Sequence, residues 1–269
     1  MPLQKTTVII PTFNAGALIA RCLDSVLCQP AELTEVIVVD GASRDNTLDV
    51  VKDYAARHPQ LRWVSAPDQG IYDAMNKGAA LATGDWLFFL GADDALHDAD
   101  TLTRLQPHLS AELDFVYGDI FRVSRQRREG GVVDRDRLLV QNICHQAVFY
   151  RRAFYEQVGR YKLDYRIYAD WDFNIRCYAA NARTAYVAML ISRYDGGGFS
   201  SATTDTVFMA RRHAEIARLW GVSQWHRVLR PCRYAFREEA ITALAERRHA
   251  RAASLYARFA WHALMARLD

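Results

Sequence analysis

The chain has 269 residues, 51% of them apolar, which is enough to bury a core in one or two domains. With 24% charged residues and only 7 prolines it does not read as disordered or fibrous. A balance of 34 basic against 31 acidic residues, net +3, excludes a dedicated nucleic-acid binder.

The first hundred residues alternate β-branched runs with helical spacing. Thr7 to Ile10 reads as a buried strand, after which Asn14 can cap a helix that places Leu18, Ile19, Cys22, Leu23, Val26 and Leu27 on one face. Glu35 to Asp40 is the next strand, followed by a helix from near Ser43 that groups Leu48, Val51, Tyr54 and Ala55. Leu61 to Ser65, Ile71 to Ala82 and Trp86 to Leu90 read as strand, helix and strand. Such alternation predicts a parallel sheet with helices on both faces, and ligands in such sheets sit at the carboxyl ends of strands. Pro11 to Asn14, Asp40 to Ser43, Asp68 to Gly70 and Gly91 to Asp94 all fall at those ends.

Beyond Asp114 the pattern changes. Phe115 to Phe121 predicts a strand, Arg125 to Gly131 a basic loop, Cys144 to Tyr150 a strand and Trp171 to Asn181 a helix. Gly196 to Gly198 interrupts the chain before a tail of helix formers. From 207 to 269 that tail carries 12 arginines, no lysine and 5 acids, a net +7, while 1–206 carry −4. Cys22, Cys28, Cys144, Cys177 and Cys232 include no Cys-x-x-Cys pair, which argues against a disulfide framework or zinc knuckle and for a reducing compartment. Neither a signal-peptide pattern nor a membrane-length apolar run is present, so a cytoplasmic protein, soluble or peripheral to the membrane, is expected.

Several acids carry chemistry at these positions. Asp93 and Asp94 follow an apolar strand, and adjacent carboxylates repel unless a cation or donor neutralises them. Hard divalent cations favour such oxygen ligands and bridge pyrophosphate. Asp40 can accept from a nucleobase or ribose, or cap the helix that follows, and Asp68 has the same two readings. Asp170, beside Trp171 near a helix start, reads either as a partly desolvated general base or as a capping residue. Asp172 is expected to face a helix amide or solvent. His145, within an apolar strand, reads as a structural histidine or a ligand. Gly196 to Ser201 reads as a closing loop or a linker. No Gly-x-Gly-x-x-Gly follows the first strand and no Walker A sequence occurs, so a metal would have to handle much of any bound phosphate.

Taken in order, Val8 to Asn14, Val38 to Asp45, Asp68 to Gly78, Ala82 to Asp85, Leu90 to Asp94 and Asp170 to Asp172 resemble a family-2 glycosyltransferase of the bacterial exopolysaccharide, capsule and O-antigen type. The resemblance implies an α/β chain with the GT-A fold: a Rossmann-like, mostly parallel sheet flanked by helices, with a helical C-terminal extension. It divides the chain into a catalytic domain, 1–206, and a basic extension, 207–269. Within the domain, 1–97 would bind nucleotide sugar and 98–206 the acceptor. It further implies inverting transfer of a sugar from a nucleotide-sugar donor, expected to be UDP-linked, to a glycan or lipid-linked glycan hydroxyl.

By position, Pro11, Thr12 and Phe13 would line the base pocket, with Asp40 reading the base and Asp68 near the nucleoside. Asp93 and Asp94 would serve ribose and a divalent cation, Mn²⁺ or Mg²⁺, and Asp170 would be the catalytic base. His145, Trp171, Gly197 and Ser200 fall where relatives meet acceptor or donor. Two positions depart from the family pattern: Gly91 stands where many relatives carry another Asp, and Met75 where many carry Arg. The arginine- and aromatic-rich tail can lie on the inner face of the cytoplasmic membrane or pack on the catalytic domain. Competing functions are a metal-dependent nucleotidyltransferase, which would want a phosphate loop near the first strand, and a non-catalytic polysaccharide-assembly scaffold.

Overall fold

The structure, a computed structural model, describes residues 3–196 and 205–220. Strands β1 (Thr6–Thr12), β2 (Thr34–Asp40), β3 (Leu61–Ser65) and β4 (Trp86–Phe89) pair in parallel in the order β3-β2-β1-β4. They alternate with helices α1 (Ile19–Leu27), α2 (Thr47–Arg57) and α3 (Ile71–Leu81). β1 and β2 are buried at every position, which is why they read as unbroken apolar runs.

Past β4 the same sheet becomes mixed. β8 (Val148–Arg151) pairs antiparallel with both β4 and β6 (Phe115–Arg122), and β6 pairs in parallel with β9 (Thr184–Tyr194). β5 (Ala95–Leu96) closes the edge on β9, and β7 (Arg127–Glu129) forms a hairpin with β6. This register brings the carboxyl ends of β1, β2, β4, β6 and β9 to one end of the sheet. Because β8 runs the other way, its beginning lies at that same end.

Strand pleat sorts the core into two layers. Val8, Ile10, Val36, Val38, Trp86 and Phe88 face α1 and α2. Ile9, Ile37, Val39, Leu87 and Phe89 face α3, α6 (Arg152–Val158), α7 (Ala169–Ala179) and α8 (Thr206–Trp220). Met75 is fully buried in this second layer, so its position on α3 belongs to packing. The short helices α4 (Thr101–Leu105) and α5 (Arg135–Leu138) complete the set.

Four local expectations are corrected. Asn14 does not cap α1: the helix starts at Ile19, and Asn14, at φ 49°, accepts the Arg44 N–H on Oδ1 at 2.9 Å, tying two strand-end loops together. α2 starts at Thr47, because Ser43 is held by Asp40 in the preceding turn. His145 lies in a 3-10 turn, His145–Ala147, that only then enters β8. Asp172 faces neither solvent nor an amide alone: it is buried, 3.0 Å from Lys162 Nζ and 2.8 Å from Arg176 Nε. The four described cysteines are free.

Candidate active site

At the end of β1, Phe13 is 63% exposed, an unusual place for a phenyl ring. Its ring approaches Gly41 just past β2: a Cβ on Gly41 would lie 3.4 Å from Phe13 Cδ2 and 2.6 Å from Asp68 Oδ2. Ring, bare backbone and carboxylate thus meet at one slot, which only glycine leaves open. Asp68 is turned by the Gly70 N–H, bonded to its Oδ1 at 2.9 Å. Asp40 is fully buried, with Oδ2 accepting the Ser43 N–H at 3.0 Å and the Ser65 hydroxyl at 2.6 Å, and Oδ1 accepting the Ser43 hydroxyl. Its carboxylate braces the loop and does not cap a helix. Pro11 and Thr12 end the buried strand, and the Thr12 hydroxyl has no hydrogen-bond partner among the described residues.

Next to this slot opens a cavity of about 790 Å³. Its lining includes Asp93, Asp94, His145, Asp170 and Trp171, whereas Pro11, Thr12, Phe13, Asp40 and Asp68 lie outside it. The segment Gln69 to Tyr72 lines the cavity directly after Asp68 and so joins the two spaces.

The Asp93 and Asp94 side chains fold back over Gly91. A Cβ there would sit 2.7 Å from both Asp93 Oδ1 and Asp94 Oδ2. Two oxygens of like charge therefore converge above a glycine. Asp94 is buried, and burial together with the Asp93 charge pushes its carboxyl up to about 6. Gln146 Nε2 donates to Asp94 Oδ2 at 2.8 Å and the Asp195 N–H to Oδ1 at 3.1 Å, only partly offsetting that cost. Arg21 bonds the Asp93 carbonyl. Such a pair suits a hard divalent cation, with remaining coordination left to phosphate and water. No cluster of three or more side-chain ligands occurs among the described residues.

Asp170 sits in the first turn of α7, 6% exposed. The Tyr72 hydroxyl reaches its Oδ1 at 2.9 Å, Asn142 Nδ2 donates to its Oδ2 at 2.8 Å, and His145 Nδ1 lies 3.4 Å from Oδ2. His145 and Gln146 are adjacent, so one short turn touches Asp170 with the first and Asp94 with the second. Buried His145 Nε2 has no partner among the described residues. Trp171 forms cavity wall: its indole N–H bonds the Leu138 carbonyl at 2.7 Å, and Arg212 stacks 4.8 Å over the ring. Gly197 and Ser200 lie outside the described residues. Sequence reasoning missed Tyr72, Asn142, Gln146 and Asp195. Tyr72 lies inside a motif stretch, whereas Asn142 stands in a run with no signal of its own.

The family model for glycosyl transferase family 2 matches residues 7–188. The chain belongs to this family. A PGL/p-HBAD biosynthesis glycosyltransferase of Mycobacterium bovis is 46% identical over 211 residues, covering 76% of this chain and 82% of that protein. Staphylococcus aureus TarS, solved as residues 1–349 with UDP-GlcNAc, superposes with a TM-score of 0.66 at 20% identity over 87% of this chain and 72% of that one. The chain spans 43% of the longer TarS chain. The Pyrobaculum calidifontis mannosyltransferase PcManGT, in complex with GDP-Man and Mn²⁺, gives 0.59 at 21% identity, over 82% of this chain and 64% of that one. These likenesses establish the GT-A fold. The protein is a glycosyltransferase, which sets aside the nucleotidyltransferase and scaffold alternatives.

Proposed function

We propose that this glycosyltransferase moves a sugar from a UDP-linked donor, with inversion, to a hydroxyl of a glycolipid acceptor in bacterial cell-surface assembly. One observation carries the reading: Asp93, Asp94 and Asp170 line a single cavity, and the adjacent residues His145 and Gln146 link Asp170 to Asp94. UDP-GlcNAc in TarS supports the donor class, and the name of the 46% identical relative supports the acceptor class. Ile71 and Leu163, 44% and 41% exposed, both line the cavity, and their apolar surface suits the non-sugar part of such an acceptor.

The base would lie in the slot of Phe13, Gly41 and Asp68, with Pro11 and Thr12 as its floor and Asp40 holding the loop. Asp93 and Asp94 would hold Mn²⁺ or Mg²⁺, whose positive charge offsets that developing on the departing diphosphate. Asp170 takes the proton of the acceptor hydroxyl as its oxygen bonds to the anomeric carbon, while the bond from that carbon to the diphosphate breaks. Gly197 and Ser200 belong to the same donor or acceptor reading.

The protein would act at the cytoplasmic face of the membrane; no described helix is long and apolar enough to cross one. Of the described tail arginines, Arg212 is buried over Trp171, while exposed Arg218 pairs with Glu215 at 2.9 Å and exposed Arg211 lies 3.4 Å from Asp164; Phe208 and Ile216 of the same helix are buried in the core. That favours packing for this part; residues 221–269 lie outside the described residues.

The test offers the purified chain nucleotide sugars, with and without Mn²⁺, and a glycolipid acceptor, then reads nucleoside diphosphate release and anomeric coupling in the product. Metal-dependent release from a UDP donor, with inverted configuration, is expected. A product retaining the donor's configuration overturns the mechanism.

A further inference from the structure

Asp170 is the end of a hydrogen-bonded chain that begins in the core. The Tyr150 hydroxyl, on β8, donates to Asn174 Oδ1 at 2.6 Å. Asn174 Nδ2 donates to Asn142 Oδ1 at 2.8 Å, and Asn142 Nδ2 donates to Asp170 Oδ2 at 2.8 Å. Asn174 is fully buried and lies one turn beyond Asp170 on α7. The Ile143 carbonyl, which can only accept, lies 3.5 Å from Asn174 Nδ2 and favours this direction of the chain. With Asn174 so oriented, Asn142 turns its oxygen to Asn174 and its N–H groups to Asp170.

We propose that Asn174 and Asn142 are positioning residues that commit Asp170 Oδ2 as a hydrogen-bond acceptor and leave Oδ1 as the oxygen that receives the acceptor's proton. The inference rests on Asp170 as the base. At Oδ1 the only described partner is the Tyr72 hydroxyl, whose single hydrogen is shared with the Ile167 carbonyl. A donor fixed on one oxygen favours the ionised form, which a base needs before the reaction, and it stops the carboxylate from rotating.

The titratable groups facing Asp170 are Tyr72 from α3, Cys144 and His145 from the segment before β8, Tyr150 from β8 and Tyr161 from the loop before α7. Of these only His145 can carry positive charge.

The test compares kcat, donor KM and the pH dependence of kcat in wild type, Asn142→Leu, Asn174→Leu and the milder Tyr150→Phe, each first checked for a native melting transition and UDP binding. Asn142→Leu is expected to lower kcat by at least about tenfold with donor KM nearly unchanged, and to move the acid limb of the profile upward. Asn174→Leu, which touches no substrate, is expected to move the limb in the same direction by less. If a leucine variant does not fold, Tyr150→Phe decides by the same shift in the limb. Wild-type limbs in all folded variants, beside an inactive Asp170→Asn, overturn the chain alone. Full turnover by Asp170→Asn overturns the base assignment and the chain with it.

Discussion

At Gly91 the backbone carbon faces two carboxylate oxygens, and the sequence at this position departs from the acid found in many relatives. The geometry gives a reason for glycine: any Cβ would press on Asp93 Oδ1 and Asp94 Oδ2 at 2.7 Å, so one of them must swing away. Gly91→Ala is therefore expected to weaken Mn²⁺-dependent UDP binding by about 10–100-fold, comparable with disturbing the surroundings of a metal ligand. Titrating Mn²⁺ in a UDP thermal-shift assay checks this. The same assay carries a pH signature. Because the Asp94 carboxyl is raised to about 6, protons compete with the cation below that value, and metal affinity should fall from pH 7 to pH 5. Flat affinity across that range would remove Asp94 from the metal site.

Some residues were legible from neighbours in sequence and some were not. Asp93, Asp94 and Asp170 stood out because each follows or begins a periodic element. Asn142 and Gln146 did not, since their importance comes from a partner on another element, and one chain without its pairing carries no trace of that. Asn14 misled for a related reason: an Asn before a helical pattern has two uses, capping locally or bonding a distant loop, and the fold chose the second.

Among the elements, the βα alternation up to β4 was readable because β1, β2 and β4 are buried on both faces and each helix on one. The antiparallel insertion of β8 between β4 and β6 was not, because strand order is set by long-range pairing that periodicity does not encode. The β6–β7 hairpin shows how one such element is held. Asp119, 1% exposed, accepts the Gly131 N–H at 2.6 Å, the Tyr186 hydroxyl at 2.8 Å and Arg128 Nε at 2.6 Å. The chain it fastens, Gly130 to Val133, forms a wall of the cavity. Asp119→Ala leaves Arg128 and these donors without their acceptor and is expected to cost about 3 kcal/mol in denaturant unfolding. Acceptor KM should rise while donor KM holds, because the wall lies away from the Phe13 slot. Unchanged stability would show the hairpin to be held by its backbone pairing alone.

Across the whole molecule, two arginine-bound acids fasten the end of the sheet opposite the cavity. Glu35, at the start of β2, accepts from Thr83 N–H at 2.8 Å and from Arg62, joining β2 and β3 to the turn before β4. Asp114, just before β6, binds Arg151 and Arg183 at the ends of β8 and β9. Burial disfavours both carboxylates, but hydrogen bonds and arginine charges outweigh it and hold each at about 2. A depressed carboxylate stabilises the fold above its ordinary value near 4 and loses that contribution as pH falls toward 2. Melting temperature should therefore drop through that window, and Glu35→Gln should flatten the drop. An identical acid slope in the variant would assign acid sensitivity elsewhere.

The turn that carries His145 and Gln146 has a geometric consequence. Their α-carbons are separated by one trans peptide, about 3.8 Å, a length that thermal motion hardly changes. Asp170 lies 3.4 Å from the first side chain and Asp94 accepts from the second at 2.8 Å, so any shift of this one turn is felt by both acids together. On the proposed reading, acceptors of different size would be fitted by the exposed walls, at Ile71 and Leu163, rather than by this turn.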